Sequence, residues 1–260
     1  MATRTRPRST PAAPERPDRG PRRRLSVDER REQLIEVALD LFSRCAPDEV
    51  SIDDIAAAAG ASRPLVYHYF PGKQSLYEAA LRRAADELAG RFREPAEGPL
   101  SERLHRVMVR YFDFVDGHGP GFAALLRGGS VAAGSWSGAV IDEVRRAAHD
   151  EILAHLGAED PGPRLRLTVR TWIADAEITA LAWLEDRSLS REELQLRLVQ
   201  EFTAALAVTA SREPSLVPVL RSLLAEESPS GPAGRLLAQL GGLLADPGIA
   251  DAVGRLAAEG

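Results

Sequence analysis

From Leu34 onward, apolar residues recur at three- and four-residue spacing in almost every segment of this chain, and no short window alternates apolar with polar side chains. The first pattern marks helices that bury one stripe; the second would have marked half-buried strands. The chain is therefore expected to be all-α. Its 260 residues allow one large domain or two small ones, with enough core to need no covalent staples. A single cysteine, Cys45, excludes a disulfide framework, and no CxxC or Cys/His cluster points to zinc. No apolar run approaches the ~20 residues of a membrane span. The Arg/Pro-rich start lacks the apolar stretch of a secretory signal. A cytoplasmic protein without membrane contact is expected.

The net charge of −5 hides an asymmetry. Residues 1–24 carry eight arginines against Glu15 and Asp18, while the remainder is acidic. A basic tail on an acidic body favours a polyanionic partner, although a merely solvated tail has the same composition. Five prolines in this stretch leave no periodicity to bury, so it reads as disordered.

Order is expected to begin at Ser26, where Ser-x-x-Glu forms a capping box. A first helix follows, about Val27 to Arg44, which Pro47 ends. Ser51 or Asp48 caps a second helix bearing Ile52, Ile55, Ala56 and Ala59, and Gly60 stops it. Ser62 caps a third, with Pro64 in its first turn, where a missing N–H costs nothing. A fourth runs from about Gln74 to Phe92. After the Pro/Gly-rich stretch 94–99, helices are expected at Ser101 to Gly117, Gly119 to Leu126, Trp136 to Leu156, Arg164 to Glu185 and Ser190 to Thr209. A loop or break is expected at 128–134. Weaker patterns place helices at Leu216 to Leu224, Leu236 to Leu244 and Ile249 to Ala258.

The stretch from Ile52 to Tyr69 meets the demands of a helix-turn-helix. Ala56 is small enough for a close helix crossing. Gly60 can adopt the positive φ of the turn. Ile55, Ala59, Ala61, Val66 and Tyr69 fall where an apolar face must be buried. The third helix then suits a reading element in the major groove. Arg63 can pair with a guanine edge, and Pro64 and Leu65 can touch thymine methyls. Ser51, Tyr67 and His68 can bond phosphates and fix register. Lys73 is the chain's single lysine, set at the start of the fourth helix, where its ammonium can meet a phosphate oxygen.

Residues 51–62, Ser-Ile-Asp-Asp-Ile-Ala-Ala-Ala-Ala-Gly-Ala-Ser, and 65–76, Leu-Val-Tyr-His-Tyr-Phe-Pro-Gly-Lys-Gln-Ser-Leu, resemble the DNA-binding domain of the TetR family of transcriptional regulators. The resemblance covers about residues 26–80. It implies an all-α homodimer that reads a palindromic double-stranded operator. A larger C-terminal domain would bind a small-molecule effector and dimerise through a four-helix bundle. The dimer helices would be those near 164–187 and 190–209. Carried over position by position, the DNA contacts are Ser51, Ser62, Arg63, Pro64, Leu65, Tyr67, His68 and Lys73. Leu65 and His68 depart from the common pattern at positions that vary with the operator. The expected organisation is a disordered tail (1–24), a helix-turn-helix domain (25–72), a helical regulatory and dimerisation domain (73–210) and a C-terminal helical extension (211–260). Effector binding to one arrangement of the large domain would move the fourth helix and change the spacing of the reading helices.

For the effector site the residues themselves offer less. Tyr111, Phe114, Phe122, Trp136 and Trp172 supply aromatic surface. Thr179 lies on the Trp172 face, and Asp175 interrupts an apolar stretch. An inward Asp175 must be paired, hydrated or used by a ligand. An apolar or amphipathic effector is expected, with no cofactor. The histidines show no metal spacing. No Gly-rich phosphate loop or nucleophile elbow points to an enzyme. The leading reading is a ligand-responsive regulator, most simply a repressor. The competing one is a non-enzymatic helical interaction protein that binds DNA only nonspecifically.

Overall fold

The computed structural model describes residues 25–123, 136–158 and 160–258. The expectations for the tail 1–24, for a short helix beyond residue 123 and for the loop at 128–134 lie outside the described residues. Among the described residues there are helices and turns but no strand. None of these helices is by itself long and apolar enough to cross a membrane.

Helix α1 spans Val27–Arg44, opened by the capping box of Ser26 and Glu29. Helix α2 spans Ile52–Ala58, and its cap is Ser51 rather than Asp48. The Ser51 hydroxyl accepts from the Asp54 amide at 3.1 Å, while the Asp54 carboxylate accepts from the Ser51 amide at 2.9 Å. Helix α3 spans Arg63–Tyr69, with Ser62 accepting from the Leu65 amide. Between α2 and α3, Gly60 takes φ +59°. The Gly60 amide donates to the Ala57 carbonyl and the Ala61 amide to the Ala56 carbonyl. That pair of bonds satisfies the last carbonyls of α2 and turns the chain steeply, which a glycine permits.

Helix α4 spans Lys73–Phe92 and is shared by two cores. Its first half, with Leu76 and Ala80, joins Leu34, Ala38, Ile55, Val66 and Phe70 in a small core under α1 to α3. Its second half, with Ala84 and Leu88, joins a larger core built from α5 (Leu100–Gly117), α6 (Trp136–His155), α7 (Pro163–Glu185) and α8 (Arg191–Arg212). Residues 119–123 are helical and lie beside α1. A Cβ on Gly121 would collide with the Phe42 carbonyl, so the two backbones meet where no side chain fits. Helices α7 and α8 are pinned by the Trp172 indole N–H, which donates to the Leu198 carbonyl at 2.8 Å, and by a Thr168–Thr209 hydroxyl pair at 2.7 Å.

The C-terminal extension forms α9 (Val217–Glu226), α10 (Pro232–Leu244) and α11 (Pro247–Ala258). It is anchored at its near end. Glu227 accepts from the Ser101 amide at 2.9 Å and its hydroxyl at 2.5 Å, placing a carboxylate at the N-terminus of α5. Ala233 is fully buried close by. Past Leu236 the extension becomes largely exposed and bends by 88° between α10 and α11.

Candidate nucleic-acid interface and effector cavity

Helix α3 buries Val66 completely and leaves Arg63, Pro64, Tyr67 and His68 exposed. One buried anchor with four projecting neighbours is what a seven-residue helix needs to enter a groove while held by its own domain. Arg63 donates to Asp53 of α2 at 3.0 Å and lies 5.7 Å from the Tyr67 ring centroid. Leu65 is half-buried, and His68 packs edge-on against Tyr69. The two capping serines differ in what they can still give. The Ser62 oxygen accepts from Leu65, which leaves its hydrogen for a phosphate. The Ser51 hydroxyl donates to Asp54 at 2.6 Å and would have to exchange that bond. This hydroxyl and the Ser51 amide hold the Asp54 carboxyl below its usual pKa. Lys73 is half-buried, and its ammonium reaches the Asp48 carbonyl at 3.4 Å, tying α4 to the loop before α2.

A cavity of about 150 Å³ lies between α4, α5, α6 and α7, extending to the C-terminal end of α1. Four expected effector residues line it: Tyr111, Phe114, Phe122 and Trp172. Three do not. Trp136 is exposed and stacks near Arg82, Thr179 is buried within the α7 packing, and Asp175 is half-buried, with its charge acting on Arg197.

Two polar clusters stand out in the mainly apolar lining. In one, the Arg145 guanidinium makes a two-pronged bond to Glu177 at 2.9 and 2.7 Å. Tyr111 lies near this pair, its hydroxyl buried and unbonded, and burial followed by the Glu177 charge pushes its pKa far up. In the other, Arg103 donates to His155 Nδ1 at 2.8 Å. Burial first, and Arg103 second, hold the His155 imidazole below its usual pKa. Glu94 stands beside them. Burial raises its pKa, but bonds from Arg106 and Arg110, both 2.6 Å, outweigh this and hold it low.

Residues 34–80 match the family described as bacterial regulatory proteins, tetR family, and residues 100–205 match the tetracyclin repressor-like C-terminal domain. The chain belongs to the TetR family of transcriptional regulators. A TetR-family regulator of known crystal structure from Streptomyces coelicolor is 58% identical, with a TM-score of 0.81, covering 85% of this chain and 100% of its own. The transcriptional activator FasR of Mycolicibacterium smegmatis is 29% identical over 185 residues, 68% of this chain and 84% of its own. The transcriptional repressor KstR2 of Rhodococcus jostii is 32% identical over 89 residues, 34% of this chain and 44% of its own. This TetR-family chain is thus a DNA-binding transcriptional regulator.

Sequence reasoning passed over the polar groups of its cavity. One of them was within reach. Arg103 falls on the stripe of Leu100, Leu104, Val107, Met108 and Tyr111, where an arginine is out of place. The Arg145–Glu177 pair joins two helices 32 residues apart along the chain, and spacing within either helix carries no sign of it.

Proposed function

We propose that this regulator binds a palindromic operator as a homodimer, acts as a repressor and is released by an apolar or amphipathic effector in the α4–α7 cavity. The observation that carries the DNA-reading part is the exposure of Arg63, Pro64, Tyr67 and His68 around the buried Val66. In this reading Arg63 contacts a base edge. Ser51, Ser62, Tyr67, His68 and Lys73 position the helix on phosphates, and Pro64 and Leu65 supply apolar contact. Uncovered apolar side chains on the two long helices support the dimer. Leu167 and Ile178 of α7 are 60% and 65% exposed, and Val208 of α8 is 59% exposed. Thr171, Ala174 and Ala204 continue these stripes with small exposed side chains. Tyr111, Phe114, Phe122 and Trp172 form the effector's apolar surroundings. The contact of residues 119–123 with α1 offers a route from the cavity to the small core that carries the reading helix, since Phe122 lines the cavity and Gly121 touches the end of α1.

The test is affinity for operator and random duplexes across a salt series, with wild type and Arg63→Ala. Selective loss on the operator, roughly 1–3 kcal/mol, is expected of a base contact. Equal weak binding of both duplexes by wild type would favour the nonspecific interaction protein. The FasR name supports activation as the second reading of regulatory sense. A reporter driven from the operator separates the two senses, because deleting a repressor raises expression and deleting an activator lowers it.

A further inference from the structure

We infer that the effector is an elongated, mainly apolar carboxylic acid whose carboxylate seats on Arg103. This rests on the effector reading above and names the chemistry of that site. Arg103 lines the cavity and is 5% exposed. A guanidinium in such surroundings is costly unless a countercharge and bonds to its donors offset the lost hydration. Among the described residues its bonding partner is the imidazole of His155, a neutral acceptor, and its Nε is buried without a partner. The two carboxylates nearby are engaged elsewhere. Glu94 accepts from both Arg106 and Arg110. Glu151 has one oxygen 3.5 Å from His155 Nε2 and 3.4 Å from the Glu94 amide.

Arg145, the other cavity arginine, is already matched two-for-two by Glu177. Positive charge available to a ligand is therefore concentrated at Arg103. A single guanidinium fork fits a planar monoanion better than a phosphate dianion, because Arg106 and Arg110 are spent on Glu94 and the nearby N-terminus of α5 on Glu227. The rest of the ligand follows from the lining. Arg103, Tyr111 and His118 all face the cavity from α5 and its end, a run of roughly 22 Å at the helical rise. Val107, Met108, Phe114 and Trp172 make that run apolar. A long apolar tail with one acidic end matches both features.

The test compares decanoate with decanol, binding each by calorimetry to the full-length protein and to Arg103→Met, which keeps the side chain's bulk without its charge. Wild type is expected to bind decanoate at least about tenfold more tightly than decanol. Arg103→Met is expected to lose that preference while its affinity for decanol stays within about twofold. Arg103→Gln serves for the same comparison should the Met variant fail to fold. Equal affinities in wild type, or a preference for decanoate that survives in the variant, overturn the acid assignment and leave an apolar effector standing. Binding of neither compound overturns the acid assignment and the effector reading together.

Discussion

Arg63 has a partner in the free protein, and that partner is a carboxylate. Both groups are well exposed and screened by solvent, so the bond to Asp53 is a weak tether that DNA can displace. Asp53 also sets a negative charge beside the surface that would meet phosphates. Asp53→Asn is expected to tighten binding to operator and random duplexes alike, by about two- to tenfold at low salt, as read by fluorescence anisotropy. A loss confined to the operator would make Asp53 itself a base contact. Tyr111 gives the opposite kind of prediction. Its buried, unbonded hydroxyl costs the free protein on the order of 1–3 kcal/mol. Tyr111→Phe should therefore leave the melting temperature unchanged or raise it, and a clear drop would reveal a bond in the free state. His155 adds a dependence on pH. Its folded-state pKa lies below the ordinary 6.5, so on acidification the unfolded chain takes up a proton that the folded one resists. Stability should be fully present above about pH 6.5 and decline below it. His155→Gln should flatten that decline in denaturant melts taken across the range.

Helices carry their start signals in the chain, and here these were legible. Ser26, Ser51, Ser62 and Ser190 each accept from the amide three residues on, fixing the first turns of α1, α2, α3 and α8. Gly60 was equally legible, and for a reason that can be measured. Nothing lies within 4 Å of the Cβ it lacks, so an alanine there would suffer from the positive φ alone. Gly60→Ala is expected to cost roughly 1–2 kcal/mol in urea unfolding, with no steric surplus. A much larger loss would mean that the turn moves on substitution. The effector residues were harder to place, because the aromatic supply of a helix does not say which neighbour it will meet. Trp136 and Trp172 looked alike in the sequence, yet one faces solvent and the other the cavity. The face a residue presents is set by helix packing across long sequence separations, as with Trp172 bonding to Leu198.

In the whole molecule, Leu167, Ile178 and Val208 leave apolar stripes uncovered on α7 and α8, and the proposed dimer is placed on them. Ile178→Glu replaces the most exposed large apolar side chain of the α7 stripe with a charge. If the proposed dimer forms through this stripe, sedimentation equilibrium should show wild type dimeric and the variant monomeric at the same concentration, with helical content unchanged. A dimer that persists would move the interface elsewhere, the exposed C-terminal pair α10 and α11 offering another apolar surface. Gly121 has a consequence of its own. Where a leucine would yield by changing rotamer, bare main chain against main chain has nothing to compress. Under the proposed effector reading, displacement of the Phe122 side chain by a guest in the pocket would have no soft cushion in which to dissipate before it reached the end of α1. In that reading the contact would act as a pushrod rather than a spring.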